Sequence, residues 1–141
     1  MKDEEILNLI KYRLDQAQIA LNDAKFLLEG KRSPQSIINR SYYAMFYAAL
    51  ALLQRIDKVP SKHAGVISLF DTEFVSRGLF PKDFSKDFHK AFEFRQNFDY
   101  KIMKPISPDK AEESLNKANW FVKAVKEYLN ATMMATKNKR Q

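Results

Sequence analysis

Residues 36–56 read SIINRSYYAMFYAALALLQRI, and this stretch decides the fold. Between Tyr42 and Leu53 the side chains are apolar on every side of a helix. Such a helix must be covered on more than one side, so we predict that it lies at the centre of a helical bundle. Ser33 and Pro34 come just before it, and these residue types are preferred as the N-cap and the first residue of a helix.

Four further helices are predicted from the spacing of apolar residues. In 3–29 the apolar side chains recur at intervals of three and four, and three acidic residues at the start suit the helix dipole. Similar patterns predict helices at about 62–76, 82–98 and 108–135. Because no stretch alternates at period two for long enough to form a strand, the predicted fold is all-α: a five-helix antiparallel up-and-down bundle.

The composition excludes several kinds of site. The 141 residues include no cysteine, three glycines and two histidines, which leaves no thiolate metal site and no glycine-rich phosphate loop. The inward stripes carry no carboxylates, so we predict neither a metal nor another cofactor. The longest apolar run is too short to span a membrane, and the N-terminus lacks the apolar core of a signal peptide. We therefore expect a cytoplasmic protein with no membrane contact.

The charge is uneven along the chain. The net charge is +7, with the basic excess in residues 31–70 and 101–141. Two interpretations of the basic excess stand: a solvated surface, or affinity for a polyanion such as nucleic acid.

We expect one domain at 1–135, followed by a basic, disordered tail at 136–141.

The central helix carries the first candidate binding face. Arg40, Tyr43 and Tyr47 lie at positions i, i+3 and i+7, so they share one side of the helix. The tyrosines suit a bundle core with hydroxyls reaching its rim. They also suit a face that stacks on bases while the arginine contacts phosphate.

The stretch AFEFRQNFDY, residues 91–100, holds the second candidate. Arg95 lies on a helix face that is otherwise apolar. It could pair with Asp99 at i+4, or it could offer its planar guanidinium to phosphate. Arg40 could then line the same cleft, between the second and fourth helices.

The chain contains three notable blocks, which read NRSYYAMFYAALALL, KHAGVISLF and AFEFRQNFDY. In their order and spacing, these blocks closely resemble the stand-alone prokaryotic branch of the HEPN family (higher eukaryotes and prokaryotes nucleotide-binding). The resemblance covers about 5–130 and implies a five-helix up-and-down bundle that commonly forms a homodimer. Many members are metal-independent ribonucleases, often toxins paired with a small nucleotidyltransferase antitoxin. Others are regarded as nucleotide- or RNA-binding modules.

The ribonuclease motif that the resemblance implies is Arg, a polar residue, three variable positions and His. Arg95 and Gln96 match its first two positions, whereas Tyr100 stands at the histidine position and Ile102 at that of a further tyrosine. An unperturbed tyrosine has a pKa near 10, so Tyr100 is a poor general base. His63 begins the third predicted helix and could join Arg95 only through the packing of the helices.

Three functions follow as hypotheses. The first is a toxin–antitoxin-like module, with a nucleotide, an RNA or a nucleotidyltransferase as partner. Its expected ligand-binding residues are Arg40, Tyr43, Tyr47, Arg95, Gln96 and Asp99. The second is an atypical metal-independent ribonuclease that uses Arg95 with Tyr100, Asp99 or a histidine outside the motif. The third is an adaptor bundle in which Arg95 only pairs with Asp99.

Overall fold

The computed structural model describes the backbone of residues 2–100 and 105–139, and the side chains of 2–97 and 105–133. Within these ranges all regular structure is helical, which confirms the predicted all-α class with five α-helices. The helices are α1 (Asp3–Glu29), α2 (Pro34–Arg55), α3 (His63–Phe70), α4 (Lys82–Tyr100) and α5 (Pro108–Lys139). The antiparallel course and the boundary between domain and tail stay predictions.

α2 lies at the centre of the described structure. It contacts α1, α3, α4 and α5, and every side chain from Ala48 to Gln54 is buried. This confirms the central position predicted from its apolar run. The buried face of α1 includes Ala17 and Ala24, whose small side chains suit the extensive packing of α1 along α2.

The predicted caps are present at two helix starts. At α2, the Ser33 hydroxyl accepts a hydrogen bond from the Ser36 N–H at 3.4 Å. At α5, the Ser107 hydroxyl accepts one from the Lys110 N–H at 3.2 Å. Each bond satisfies a backbone donor that has no partner within its helix, so both serines stabilise the predicted starts.

The helix boundaries differ from the prediction in three places. α3 ends at Phe70 and continues as a π-helical turn, Asp71–Val75, within the predicted 62–76. α4 runs through Tyr100 and α5 through Lys139, beyond the predicted ends. No proline or glycine interrupts the chain at residues 99–100 or 136–139, so nothing in the backbone forces either helix to end earlier.

A cluster of buried phenylalanines fixes α3 and α4 in the bundle. The Phe88 ring of α4 lies 5.4 Å from that of Phe121 on α5 and 6.1 Å from that of Tyr42 on α2. Phe70, the last residue of α3, lies 5.8 Å from Phe88. Aromatic contacts at these distances pack well, and they hold the first half of α4 and the end of α3 in the core beside α2.

Candidate nucleic-acid interface

Arg95 lies against the tyrosines of the central helix. Its Nε donates a hydrogen bond to the Tyr43 hydroxyl at 3.2 Å. Its guanidinium carbon lies 5.7 Å from the centre of the Tyr43 ring and 5.9 Å from that of Tyr42. The faces of aromatic rings attract cations, which explains how a half-buried arginine can stand on a mostly apolar helix face.

Arg40 approaches the same tyrosine. Its guanidinium carbon lies 4.9 Å from the centre of the Tyr43 ring, and Nη2 donates to the Asn39 side chain at 3.2 Å. Among the side chains that the structure describes, neither Arg40 nor Arg95 forms an ion pair with a carboxylate. The side chain of Asp99, the predicted partner of Arg95, lies outside this set. The guanidinium groups of Arg40 and Arg95 thus both lie beside the ring of Tyr43.

Tyr47 extends this surface along α2. Its ring centre lies 5.9 Å from that of Tyr43, and both tyrosines are half-buried, whereas Tyr42 is fully buried. The structure thus brings together Arg40, Tyr43 and Tyr47 of α2 and Arg95 of α4, whereas a cleft between these helices stays a prediction. Half-exposed rings beside cations have the chemistry to stack on a base near its phosphate.

His63 is the residue of this surface that the family motif did not point to. It is the first residue of α3, and its Nδ1 lies 2.7 Å from the hydroxyl of Tyr42. Its ring stacks on Phe46 with centres 4.0 Å apart and planes 12° apart. The Tyr43 ring lies 6.0 Å away, edge-on, so His63 and Arg95 contact the same pair of tyrosines.

The surroundings change the pKa of both partners in this hydrogen bond. Burial lowers the pKa of His63, and the charge of Arg95 lowers it further. Burial raises the pKa of Tyr42 well above its usual range, with Arg95 opposing in part. Tyr42 is therefore a neutral hydroxyl at ordinary pH. It can donate to an unprotonated Nδ1 or accept from a protonated one, so either imidazole tautomer fits the bond.

The other predicted residues are not placed with this group. Gln96 is exposed on α4, away from the buried side of that helix. The backbone of α4 continues helically through Asp99 and Tyr100, but their side chains lie outside the described residues. His89 pairs instead with Asp71, with 2.6 Å between Nε2 and Oδ2.

Two further findings bear on what the described part of the chain could bind. It contains no group of three or more His, Cys, Asp or Glu side chains that could hold a metal ion. None of its helices combines the length and apolarity that a membrane crossing requires.

A groove between α4 and α5 lies away from Tyr43, and its carboxylates would repel phosphate. The lining side chains are Asp87, Asp109, Glu112, Glu113, Asn116, Lys117 and Trp120.

Comparison with known proteins gives the family. The sequence matches the HEPN domain over residues 10–128. This chain belongs to the HEPN family. A UPF0332 protein of Thermotoga maritima is 35% identical over 121 residues, which cover 86% of this chain and 91% of that protein. A protein of Methanocaldococcus jannaschii with the name "Putative toxin MJ0605" is 33% identical over 127 residues, covering 90% and 93%.

A second protein of the same organism, "Putative toxin MJ0142", is 34% identical over 92 residues, covering 65% of this chain and 63% of its own length.

In this HEPN chain, Arg95 lies on a surface built mainly from α2. The histidine that contacts the same two tyrosines comes from α3 rather than from the end of α4.

Proposed function

We propose that this HEPN protein is a toxin-like module that binds RNA at the surface formed by Arg40, Tyr43, Tyr47, His63 and Arg95, called the Tyr43 surface below. One observation carries the proposal: two guanidinium groups meet at the Tyr43 ring, and no described carboxylate pairs with either. Arginines arranged in this way can bind a phosphate from two directions.

Single-stranded RNA fits this surface better than a duplex. Arg40 and Arg95 are both half-buried, so a phosphate must come close to the rings to reach them. A single strand can do so while an unstacked base lies on Tyr43 or Tyr47. The net charge of +7 adds general attraction for a polyanion.

The experiment compares binding of a labelled single-stranded RNA by the purified chain and by Arg95→Ala. We expect the variant to bind about tenfold more weakly, because a hydrogen bond to a charged group contributes roughly 1.5 kcal/mol or more. Arg77→Ala is the matched control, since Arg77 is exposed and already paired with Glu73 at 2.9 Å. Equal binding by all three proteins would leave the adaptor bundle as the better account. Loss of RNA binding in excess ATP would indicate a nucleotide site instead.

We also propose a small nucleotidyltransferase as the partner protein and a homodimer as the active form. The toxin names of two relatives and the family resemblance support this pairing. Co-expression with a nucleotidyltransferase encoded beside this chain tests it. A stable complex at equal stoichiometry is expected, and two separate elution peaks would contradict it. Sedimentation velocity of the chain alone tests the homodimer.

A second candidate function is metal-independent RNA cleavage, and the position of His63 favours it. Nε2 of His63 has no hydrogen-bond partner among the described residues, and Tyr42 holds the other ring nitrogen. A neutral imidazole could accept the proton of a ribose 2′-hydroxyl as the 2′-oxygen bonds to phosphorus. The bond from phosphorus to the 5′-oxygen then breaks, and the imidazolium returns the proton to that oxygen. Arg95 would stabilise the charged phosphorane.

Product analysis separates this candidate from binding alone. Cleavage should leave 2′,3′-cyclic phosphate and 5′-hydroxyl ends, should persist in EDTA, and should be lost in Arg95→Ala and His63→Asn. His89→Asn and Tyr100→Phe should cleave normally. If Tyr100→Phe is inactive while His63→Asn is active, the tyrosine at the motif position acts instead. If RNA binds without any cleavage, the protein is a binding module.

A further inference from the structure

The outer side of α1 carries three large apolar side chains in a line. Tyr12, Ile19 and Phe26 have 56%, 60% and 75% of their surface exposed. They are spaced by seven residues, which brings them to nearly the same direction on a helix. Single exposed apolar residues are common on proteins, but three on one side of a helix, one every two turns, indicate an interaction surface.

The charges beside this line are acidic except for Arg13, whose guanidinium carbon lies 5.7 Å from the centre of the Tyr12 ring. At roughly 100° per residue, the charged residues within about 60° of Ile19 are all acidic. They are Glu4, Glu5, Asp15 and Asp23, and each is exposed. The nearest lysines, Lys11 and Lys25, fall outside this sector. The outer face of α1, defined by Tyr12, Ile19, Phe26 and these four carboxylates, is thus an acidic, apolar face on a basic chain.

We propose that the outer face of α1 binds a basic amphipathic helix of a partner protein. A helix with apolar side chains at heptad spacing matches the line from Tyr12 to Phe26. Lysines or arginines on both sides of its apolar line would meet the carboxylates of α1, which gives such a helix its specificity and orientation. The surface is separate from the Tyr43 surface and does not depend on RNA binding there.

Charge complementarity selects this occupant over two others. If two copies paired antiparallel through α1 about Ile19, Asp15 of one copy would face Asp23 of the other. A parallel pair would place each aspartate beside its own equivalent. Both arrangements bring like charges together, which is unfavourable. An anionic membrane surface would repel the same carboxylates.

The test uses the full chain and a synthetic peptide of about 21 residues, with leucines at the a and d positions of three heptads and lysines elsewhere. A twin peptide has glutamate in place of each lysine. Calorimetry should show binding of the lysine peptide, with about tenfold weaker binding by the double variant Ile19→Gln, Phe26→Gln. Asp15→Asn, Asp23→Asn should weaken it severalfold. Two control variants should bind the lysine peptide like the unchanged protein. They are Trp120→Gln, which removes another exposed aromatic ring, and Arg95→Ala.

Several results would overturn the proposal. The proposal fails if the lysine peptide does not bind, or if the Ile19→Gln, Phe26→Gln protein binds it as tightly as the unchanged protein does. It also fails if the unchanged protein binds the glutamate twin as tightly as the lysine peptide. A dimer in sedimentation velocity that dissociates on Ile19→Asp would show that a second copy occupies the face. Sedimentation of the protein with vesicles rich in phosphatidylserine, lost in the same variant, would show that a membrane does. The substituted positions on α1 and α5 are exposed and Arg95 is half-buried, so the variants should fold, and circular dichroism checks this.

Discussion

The hydroxyl of Tyr42 lies 2.7 Å from Nδ1 of His63, across 21 residues of sequence. Tyr42 is fully buried in the central helix, and His63 is the first residue of α3. This hydrogen bond therefore ties the start of α3 to the core. It also orients the imidazole beside Tyr43, so that the core of the bundle positions a titratable group on the proposed RNA-binding surface.

Removing this hydroxyl should destabilise the fold. We expect Tyr42→Phe to lower the free energy of unfolding by about 1 kcal/mol, because a buried hydrogen bond is lost and Nδ1 loses its partner. Urea unfolding measures the change. Tyr12→Phe is the control, since Tyr12 is exposed on α1 and the same atom is removed there. Equal stability of Tyr42→Phe and the unchanged protein would mean that the Tyr42–His63 bond contributes nothing.

Acid should destabilise the protein through His63. Burial and Arg95 hold the pKa of His63 below the usual 6.5, so the unfolded chain takes up this proton first as the pH falls. The contribution of His63 is complete above pH 6.5 and is lost as the pH falls from there toward the lowered folded pKa. Between about pH 7 and pH 5, the urea midpoint should therefore fall more for the unchanged protein than for His63→Asn. A parallel fall in both would contradict the lowered pKa.

The charge of Arg95 should be visible in the titration of His63. Replacing the cation by a neutral side chain in Arg95→Met removes one of the two causes of the lowered pKa. The pKa of His63, followed by the NMR shift of its ring protons, should rise toward 6.5 in this variant. Arg77→Met should leave it unchanged, because Arg77 pairs with Glu73. An unaltered pKa in Arg95→Met would place Arg95 too far from the imidazole to interact.

The aromatic core should carry much of the stability. Phe88 is fully buried against Tyr42, Phe70 and Phe121. We expect Phe88→Ala to cost about 3–5 kcal/mol in the free energy of unfolding, because it leaves a cavity in the core. Phe26→Ala removes the same atoms from an exposed position and should change stability by less than about 0.5 kcal/mol. Similar losses for both variants would contradict the packing described.

Much of the fold follows from local patterns in the sequence. The run from Tyr42 to Leu53 has no polar side, and a helix of that kind can only be central. Ser33 and Ser107 each precede a proline at the start of a helix, and both caps are formed. α1 ends directly before a glycine, but the left-handed residue is the one after that glycine. Gly30 keeps an ordinary φ of −79°, and Lys31 takes the left-handed conformation at φ 52°.

The candidate surface could be predicted only in part. Arg40, Tyr43 and Tyr47 share a helix face, so their spacing places them together. That Arg95 meets the same Tyr43 ring depends on how α4 packs on α2, which helical periodicity does not encode. His63 carries no periodic signal and follows a break at Pro60. Its position results from contacts with Tyr42 and Phe46, which are distant in sequence.

The salt dependence of RNA binding tests the central claim most directly. For single strands, each neutralised phosphate contributes about 0.7 to the slope of log affinity against log salt. If Arg40 and Arg95 hold one phosphate from two directions, the double variant Arg40→Ala, Arg95→Ala should bind more weakly, and its slope should be shallower by about 0.7. Arg77→Ala should keep the original slope. A double variant with unchanged slope and affinity would show that RNA does not bind at the Tyr43 surface.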